Sequence, residues 1–390
     1  MNDFLCSNYE LRSIYSVQFL LITVITSVHQ KGGFKMAINV IDTQSQFLEL
    51  KESWDRLYAL DGHLSVHRSW DWIDSWIRST DLTWFILVVQ SPTGEVVAIL
   101  PLAKQVSKRG AINFVLAGHP ISAHTGLICH PDYEAYALHK ISKYFKKNPN
   151  WNNLIFSDAL DSRLNNLISS FNEITHSILH NIPTPCPYVD LPQTWDEYLR
   201  TYLGPKTRSD ARNLIKHMED LPDFKLVIAS KDNIDELLDI TMNLWTKRWG
   251  ADNAQLIYLM RGLILNSINR NILRLAVYMD GPVAFASIVS WLDDVKNEYQ
   301  AFLFCFNKEY SKLKSPGKAA IFNEIRFAIN EGYSLFNFGR GEEGYKKLFG
   351  IDIRMNSNYT VSRKTWRRII KSFVIEILKD RNESMAMGNR

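Results

Sequence analysis

At 390 residues the chain is long enough for two domains, each with a sizeable hydrophobic core. Hydrophobic residues make up 46% and charged residues 22%, a globular rather than a disordered composition, and the net charge of +4 is too small to indicate nucleic-acid binding by itself. The four cysteines lie far apart and form no CxxC pair, which favours reduced thiols in a cytoplasmic protein over a disulfide framework or a zinc site.

Residues 1–35 form a leader of a different character from the rest of the chain. The run from Ile14 to Val28 is mostly apolar, but polar residues interrupt it and it is shorter than the roughly 20 residues of a transmembrane helix. No small-residue cleavage site follows it, as a signal peptide would require. We therefore expect the leader to stand outside the fold, with Met36 as an alternative start.

Residues 36–180 alternate predicted strands and helices. The strands Trp84–Gln90 and Val96–Lys104 are joined by a Ser-Pro-Thr-Gly turn. The other predicted elements are a strand at Ala37–Ile41, helices around Phe47–Leu57, Trp70–Ile77 and Tyr133–Phe145, and strands near Ile112–Ala117 and Leu154–Ser157. Because no Gly-rich phosphate loop occurs here, we expect a non-catalytic domain that shapes one wall of a cleft.

One cluster in this half contains residue types that bind metals. It consists of His119, His124, Cys129 and His130. Their spacing matches no standard metal site, and histidines in loops are usually polar surface residues. We expect no bound metal.

A proline-rich segment, Asn181–Pro192, follows. Its four prolines exclude a helix, so the segment is predicted to connect the two halves, and the second domain is predicted to span residues 181–390.

After a predicted helix at Trp195–Leu203, a second helix carries a basic stripe. Arg208, Arg212 and Lys216 are spaced i, i+4, i+8, with Lys206 just before them. A solvated polar face is the usual explanation of such a pattern. Like charges at this spacing repel each other unless an anion lies nearby, so an anionic substrate or a cofactor phosphate is the alternative.

Two predicted helices, Ile234–Trp249 and Leu256–Asn269, precede a strand-rich region. Three strands, Leu273–Met279, Val283–Leu292 and Asn297–Phe306, lead to a loop, a helix and a further strand at Ser334–Phe338. Asp280-Gly281 is a strong hairpin signal.

The loop and the helix after Phe306 contain the clearest functional signals. Ser315 and Pro316 suit the start of a helix, and Gly332 suits the left-handed residue after its end. Lys312, Lys314 and Lys318 crowd the positive end of the helix dipole, which is unfavourable unless an anion binds there. Gly317 would let a ligand approach the backbone. A solvated Lys-rich loop with an ordinary cap is the alternative.

These residues resemble a known family. Lys314-x-x-Gly317-x-Ala319 looks like a variant of the pyrophosphate loop of GNAT-type acetyltransferases. More narrowly, the resemblance is to the CelD-like acetyltransferases of cellulose and exopolysaccharide biosynthesis, themselves similar to the Fem-type peptidyltransferases with two such domains in tandem. The residues that carry it are Tyr310, Ser315-Pro316-Gly317, Asn337-Phe338-Gly339 and Gly341-Glu342-x-x-Tyr345-Lys346. Departures from the family pattern are Lys314 for Gln or Arg, Pro316 in the loop, and Asn337 for Asp.

The resemblance implies an α/β fold of tandem acetyltransferase-like domains, each a mixed sheet flanked by helices, with acyl-CoA as co-substrate and no metal. It implies that Lys314, Ser315, Gly317, Lys318 and Ala319 bind the cofactor and that Tyr345 protonates the leaving thiolate; a packed aromatic ring is the alternative for Tyr345. Glu342 or Glu343 is a candidate base, with a solvated loop carboxylate as the alternative. Substrate binding is expected from Lys206, Arg208, Arg212, Arg340 and Lys346, and a structural salt bridge is the alternative for Arg340.

Three functional classes follow. The first is an acyl-CoA-dependent transferase acting on an amine or hydroxyl of a sugar or glycan precursor, without nucleic acid. The second is a Fem-like aminoacyltransferase that uses charged tRNA, and the third is a non-catalytic binding module. The basic amphipathic pattern of Ser362–Lys379 predicts either a docking helix or a helix lying on a membrane surface.

Overall fold

The protein is described by a computed structural model that covers residues 38–63, 65–250, 253–270 and 272–364. The predicted leader, residues 1–35, lies outside these ranges, as does the part of the predicted helix Ser362–Lys379 beyond residue 364. Ser362 and Arg363, at the predicted start of that helix, belong to a strand instead. In the described part of the chain, the amphipathic segments form helices and the strand-like segments form strands. The helices pack on a single large sheet.

The helices follow the predicted apolar periodicity. They are α1 Gln44–Glu49, α2 Lys51–Leu60, α3 Trp70–Ile77, α4 Glu134–Lys147, α5 Arg163–Ser169, α6 Trp195–Tyr202, α7 Pro205–Glu219, α8 Ile234–Trp249, α9 Ala254–Ser267 and α10 Pro316–Asn330. Short 3-10 helices lie at Val66–Arg68, Pro131–Tyr133, Ile268–Arg270 and Gly344–Phe349. The helix predicted to contain Phe47 and Trp54 is divided into α1 and α2.

The strands are β1 Ile38–Ile41, β2 Thr83–Gln90, β3 Val96–Val106, β4 Ile112–Leu116, β5 Ile128–Cys129, β6 Asn153–Ala159, β7 Thr175–Asp190, β8 Phe224–Ile228, β9 Leu273–Asp280, β10 Val283–Asp293, β11 Glu298–Phe306, β12 Leu335–Asn337 and β13 Asp352–Arg363. They form one sheet in the order β1-β2-β3-β4-β6-β13-β7-β12-β11-β10-β9-β8, with β5 beside β3.

Each half of the sheet repeats one pattern. In the first half, β1 to β4 are antiparallel and β6 is parallel to β4. In the second half, β8 to β11 are antiparallel and β12 is parallel to β11. The predicted α/β fold, with two repeated halves of mixed sheet flanked by helices, is confirmed, and the two halves are joined in one continuous sheet.

The two halves interlock through their long strands. β7 pairs with β12 of the second half and with β13, and β13 also pairs with β6 of the first half. A strand from the end of the described chain is therefore inserted beside the first half. The division at residue 180 stays a prediction, and a cut there falls within β7.

The proline-rich segment predicted as a connection is instead part of strand β7. Pro183, Pro185 and Pro187 occupy alternate positions, so their missing N–H groups point to one edge. That edge faces the segment after β12: Phe338 N–H donates to the Pro187 carbonyl at 2.9 Å, and Gly341 N–H to the Pro185 carbonyl at 2.9 Å. The intervening residues keep their N–H groups for β13, so the prolines do not break that ladder.

A shared hydrophobic core joins the halves. One cluster of buried side chains contains Trp72 of α3 and Trp291 of β10, whose ring centroids are 4.6 Å apart. Of two further cores, one lies under α10 and the other under α4 and α5, where Tyr359 and Val361 of β13 join side chains of the first half.

Helix α10 is attached to the sheet by a buried carboxylate. Glu324 accepts hydrogen bonds at 2.5 Å from the hydroxyls of Tyr278 and Tyr299, and Arg274 Nε donates to it at 2.7 Å. A buried carboxylate is tolerated only when it is paired in this way. The network fixes α10 against β9 and β11, and so fixes where the helix begins.

Candidate active site

Two cavities meet at the side chain of Tyr345. The helix cavity, about 330 Å³, lies at the start of α10 and is lined by residues 306–308, 310, 313–318, 321 and 345. The central cavity, about 390 Å³, is lined by residues 67, 120, 121, 123, 245, 248, 253, 256, 260, 300–304, 338–340, 343, 345 and 346. Both volumes are typical of small-molecule sites.

The helix cavity is positively charged. Lys308, Lys314 and Lys318 line it, no lining residue carries a carboxyl group, and none of the three lysines forms an ion pair with a described residue. The neighbouring Lys312 is neutralised by Asp280, 2.6 Å away. An anion would therefore meet uncompensated positive charge here.

The first turn of α10 adds unpaired donors to this cavity. Ser315 occupies the predicted N-cap position, but its hydroxyl accepts no hydrogen bond from the helix. The first backbone bond runs from Ala319 N–H to the Ser315 carbonyl at 3.1 Å, so the N–H groups of Gly317 and Lys318 precede it. Pro316 removes no donor that the helix needs.

Two of the predicted cofactor-binding residues have other surroundings than expected. A Cβ on Gly317 would lie 2.8 Å from Phe306 Cδ1, so the missing side chain allows close packing of helix on strand, and Gly317 also lines the cavity. Ala319 is fully buried in the core under α10 and does not line the cavity. Lys314, Ser315 and Lys318 line it together with Gly317, and their binding of a cofactor stays a prediction.

Tyr345 lies in the 3-10 helix Gly344–Phe349 and separates the two cavities. Burial raises the pKa of its hydroxyl to about 12, and the negative charge of Glu343 contributes to this rise. The hydroxyl therefore keeps its proton at neutral pH and is able to donate it.

Glu343 and Lys346 form a pair in the wall of the central cavity. Lys346 Nζ lies 2.7 Å from Glu343 Oε2 and donates to the carbonyls of Arg340 at 3.0 Å and Gly341 at 2.9 Å. Burial lowers the pKa of Lys346. These contacts hold the loop after β12 in place, and the substrate-binding role of Lys346 stays a prediction.

Arg340 lines the central cavity, but protein groups already bind it. Its Nη1 donates to Asp158 Oδ2 at 2.5 Å and its Nη2 to the Pro120 carbonyl at 2.8 Å. Both partners belong to the first half, so Arg340 links the halves across the cavity rather than presenting a free cation.

Four other predicted site residues lie outside both cavities. Glu342 pairs with Lys347 at 2.8 Å on the surface. Arg212 lies 3.4 Å from Asp196, and Arg208 donates to the carbonyls of Arg200 and Leu203, both at 3.2 Å. Lys206 is exposed. The structure thus supports the solvated-face alternative for the basic stripe.

Asn337, noted above as a departure from the family pattern, holds together a buried polar cluster. Its Nδ2 lies 2.8 Å from both His124 Nε2 and Glu298 Oε1, and its Oδ1 accepts from Gly339 N–H at 3.0 Å. Because His124 Nε2 accepts, its proton is on Nδ1, which lies 3.2 Å from Asn356 Oδ1. Burial lowers the pKa of His124 to about 3, so the imidazole is neutral.

Sequence reasoning missed the residues that the first half and α8 contribute to the central cavity. His67 and Pro120 come from the first half, and Trp245 and Arg248 come from α8. No local motif marks them, because they approach the site only through the interlocked fold. His67 and Pro120 are thus residues with which the first half forms part of the cavity wall, as expected of a half that shapes one wall of a cleft.

The histidine and cysteine cluster of the first half is dispersed in the structure. His124 and Cys129 are buried, and His124 is held by asparagines. The described residues contain no group of three or more His, Cys, Asp or Glu side chains that could hold a metal ion.

Residues 205–347 match the family model of the acetyltransferase (GNAT) domain. The match runs from α7 to the 3-10 helix that carries Tyr345 and so includes the helix cavity. The chain therefore contains a GNAT-type acetyltransferase domain, which indicates a transferase. The narrower CelD-like resemblance stays a prediction, and no curated protein matches the sequence.

Several solved structures share the fold. FemX aligns with a TM-score of 0.57 at 10% identity, over 82% of this chain and 96% of that one. A conserved protein of unknown function from Bacteroides thetaiotaomicron gives 0.51 at 16% identity, over 84% and 100%. The C-terminal domain of a protein named as a lysylphosphatidylglycerol synthetase, from Agrobacterium fabrum, gives 0.50 at 11% identity, over 85% and 97%. At these identities the likeness concerns the fold alone.

Within the described ranges, no helix has both the length and the apolar character needed to cross a membrane.

Proposed function

We propose that the protein is an acyltransferase that moves an acyl group, acetyl in the first instance, from acyl-CoA to an amine or hydroxyl of a sugar or cell-envelope precursor. One observation carries the proposal. A cationic cavity at a helix start and a mixed polar and aromatic cavity meet at one protonated tyrosine, Tyr345. Two reactants could approach that hydroxyl from opposite sides.

The helix cavity fits the phosphates and the apolar arm of a coenzyme A thioester. The side chains of Lys308, Lys314 and Lys318 and the free N–H groups of the first α10 turn would hold the phosphates. Leu313 and Ile321 provide the apolar contact. When bound, acyl-CoA supplies the activated carbonyl group.

The protein's own residues then move two protons. The acceptor nitrogen or oxygen forms a bond to the carbonyl carbon, and the carbon–sulfur bond breaks with its electron pair on sulfur. Tyr345 donates its proton to the thiolate, and Glu343, the one carboxylate among the described residues that line the central cavity, takes the proton of the nucleophile. The ion pair with Lys346 holds that carboxylate in place.

The walls of the central cavity support a ring-bearing acceptor. Trp245, Phe302 and Phe338 offer aromatic surfaces of the kind on which sugar rings pack, and the resemblance to exopolysaccharide acetyltransferases agrees with such an acceptor. Three buried free thiols, Cys129, Cys186 and Cys305, are compatible with the cytoplasm, where we propose that the protein works.

Calorimetric titration with acetyl-CoA and with free CoA tests the proposal. We expect micromolar binding of both, weakened at least about 10-fold in a Lys314→Glu/Lys318→Glu double variant, because one hydrogen bond to a charged group contributes about 1.5–3 kcal/mol. The matched control is Lys225→Glu, an exposed lysine on β8 that lines neither cavity, which should leave the dissociation constants unchanged.

Two outcomes would contradict the proposal. Absence of binding by the wild-type protein would favour the tRNA-dependent or the non-catalytic class. Binding that the double variant retains at full strength would remove the helix cavity as the cofactor site.

A further inference from the structure

A smaller cavity of about 170 Å³, the outer groove, adjoins the central cavity. In the first half it is lined by residues 79–82, 105, 119 and 120, and in the second half by residues 253, 255, 256, 258 and 259 at the start of α9. Pro120, Asn253 and Leu256 also line the central cavity. Because Pro120 and Asn253 are exposed, they form a rim at the protein surface between the two cavities, and a ligand that crosses this rim would contact both.

The polar side chains of the outer groove are accessible to a ligand. Asp81, Gln105, Gln255 and Tyr258 are exposed, and none of these side chains makes a hydrogen bond or an ion pair with a described residue. Together they offer carboxylate and amide oxygens as acceptors, and amide N–H groups and a phenol as donors. The Tyr258 side chain, 62% exposed, adds an aromatic surface.

The charge of the outer groove excludes a phosphate as its natural ligand. No lysine or arginine occurs among the described residues that line it, and burial lowers the pKa of His119, so this imidazole is neutral at neutral pH. Asp81 gives the groove a negative charge, the opposite of the helix cavity with its lysines. A neutral ligand rich in hydroxyl groups fits better, because each hydroxyl both donates and accepts hydrogen bonds.

We propose that the outer groove binds a second sugar ring of the acceptor, so that the preferred acceptor is an oligosaccharide or glycan chain rather than a single sugar. The inference rests on the proposed function for the reaction at Tyr345, but sugar binding in the groove stands on the groove's own residues. The ring that is acylated lies in the central cavity beside Tyr345, and the next ring crosses the rim. There its hydroxyls bind Gln105 and its apolar face packs on Tyr258.

The test compares glucose with cellotriose, its linear β-1,4-linked trimer, because the two are neutral and differ in the number of rings. Each is titrated into the full chain with saturation-transfer NMR as readout. We expect the wild-type protein to bind cellotriose about 10-fold more tightly, since the added rings form further hydrogen bonds. A Gln105→Ala/Tyr258→Ala double variant should lose this preference and keep its glucose affinity, because neither residue lines the central cavity. Gln193→Ala, at an exposed glutamine outside both cavities, should keep the wild-type ratio.

Acetyl-CoA titrations of the same samples separate this inference from the proposed function. A preference for cellotriose that the double variant loses, in a protein that binds no acetyl-CoA, would support the outer groove and contradict the acyl-CoA function. Equal affinities of the wild-type protein for the two sugars, or no binding of either, would overturn the inference whether or not acetyl-CoA binds, and even if the double variant does not fold. A preference that persists in the double variant would overturn it as well.

Discussion

A tyrosine that borders two cavities is a suitable proton donor only if it is protonated and has room to act. Tyr345 meets the first condition because burial and the charge of Glu343 raise its pKa to about 12. It meets the second because its hydroxyl makes no hydrogen bond to any described residue, whereas Tyr310 and Tyr333 donate theirs to Asp280 and Asp294, both at 2.8 Å.

Replacing Tyr345 by Phe should separate binding from turnover. The ring that divides the cavities remains, so we expect an unchanged acetyl-CoA dissociation constant and a kcat lowered about 100-fold, the lower end of what a positioned proton donor contributes. Steady-state release of CoA measures the rate. Tyr333→Phe, away from both cavities, is the control and should keep the wild-type kcat. Equal turnover of Tyr345→Phe and wild type would exclude Tyr345 as the acid.

Glu298 makes stability depend on pH. Its carboxyl group is fully buried beside Asn337, and burial raises its pKa from 4.5 to about 7. The folded state therefore holds this proton more tightly than the unfolded state. The resulting stabilisation is complete below about pH 4.5 and is lost as the pH rises through about 7, where the fold must contain a buried charge.

A Glu298→Gln variant should remove this dependence. The glutamine carbonyl can still accept from Asn337, and each pKa unit corresponds to about 1.4 kcal/mol. Relative to wild type, we expect the variant to gain about 2 kcal/mol of unfolding free energy between pH 5 and pH 8. Urea denaturation at the two pH values measures the gain, with exposed Glu309→Gln as control. A wild-type-like pH profile in Glu298→Gln would show that Glu298 is ionised throughout.

Helices, strands and turns could be predicted from the sequence where the residues of the element itself carry the periodicity or turn signal. Helices α3 and α8 have the predicted bounds, and the Asp280-Gly281 turn joins β9 and β10 as predicted. Strand β7 was missed because prolines usually exclude a sheet interior, and only its neighbours show that the prolines share one edge. Strand β13 was missed because its partners, β6 and β7, lie far away in the sequence.

In the candidate site, too, residues close together in the sequence could be predicted, whereas residues brought together only by the fold could not. Lys314, Lys318 and the helix start are neighbours in sequence, and a dipole argument predicted them together. Lys308 lines the helix cavity but was not predicted, and Lys312, which was predicted, is paired with Asp280 outside it. The central cavity combines His67, Trp245, Gln300 and Glu343, which no spacing rule connects. The sequence analysis also assigned substrate binding to several charged residues whose surroundings the sequence does not reveal. Arg340 and Lys346 bind protein groups, and the basic stripe of α7 pairs with protein groups or lies in solvent.

Across the whole molecule, the two halves depend on each other for strand pairing, for a shared core and for an ion pair. β13 lies between β6 and β7, so each side of its ladder depends on a different part of the chain. Trp72 and Trp291 pack together in the shared core, and Arg340 binds Asp158 across the central cavity. Unfolding one half would expose an unpaired strand edge and part of this core, which disfavours a state with one half folded.

A substitution in one half should therefore destabilise the other by the same amount. Leu100 of β3 is fully buried in a core to which β9 and β10 contribute no side chain, and Leu100→Ala should lower the unfolding free energy by about 2–5 kcal/mol. Native-state hydrogen exchange in urea, read by mass spectrometry on β2–β3 and on β9–β10, measures the two halves separately. We expect equal decreases in both, because the interlocked strands make them one cooperative unit. A decrease confined to β2–β3 would mean that the second half, with the helix cavity, holds its fold alone.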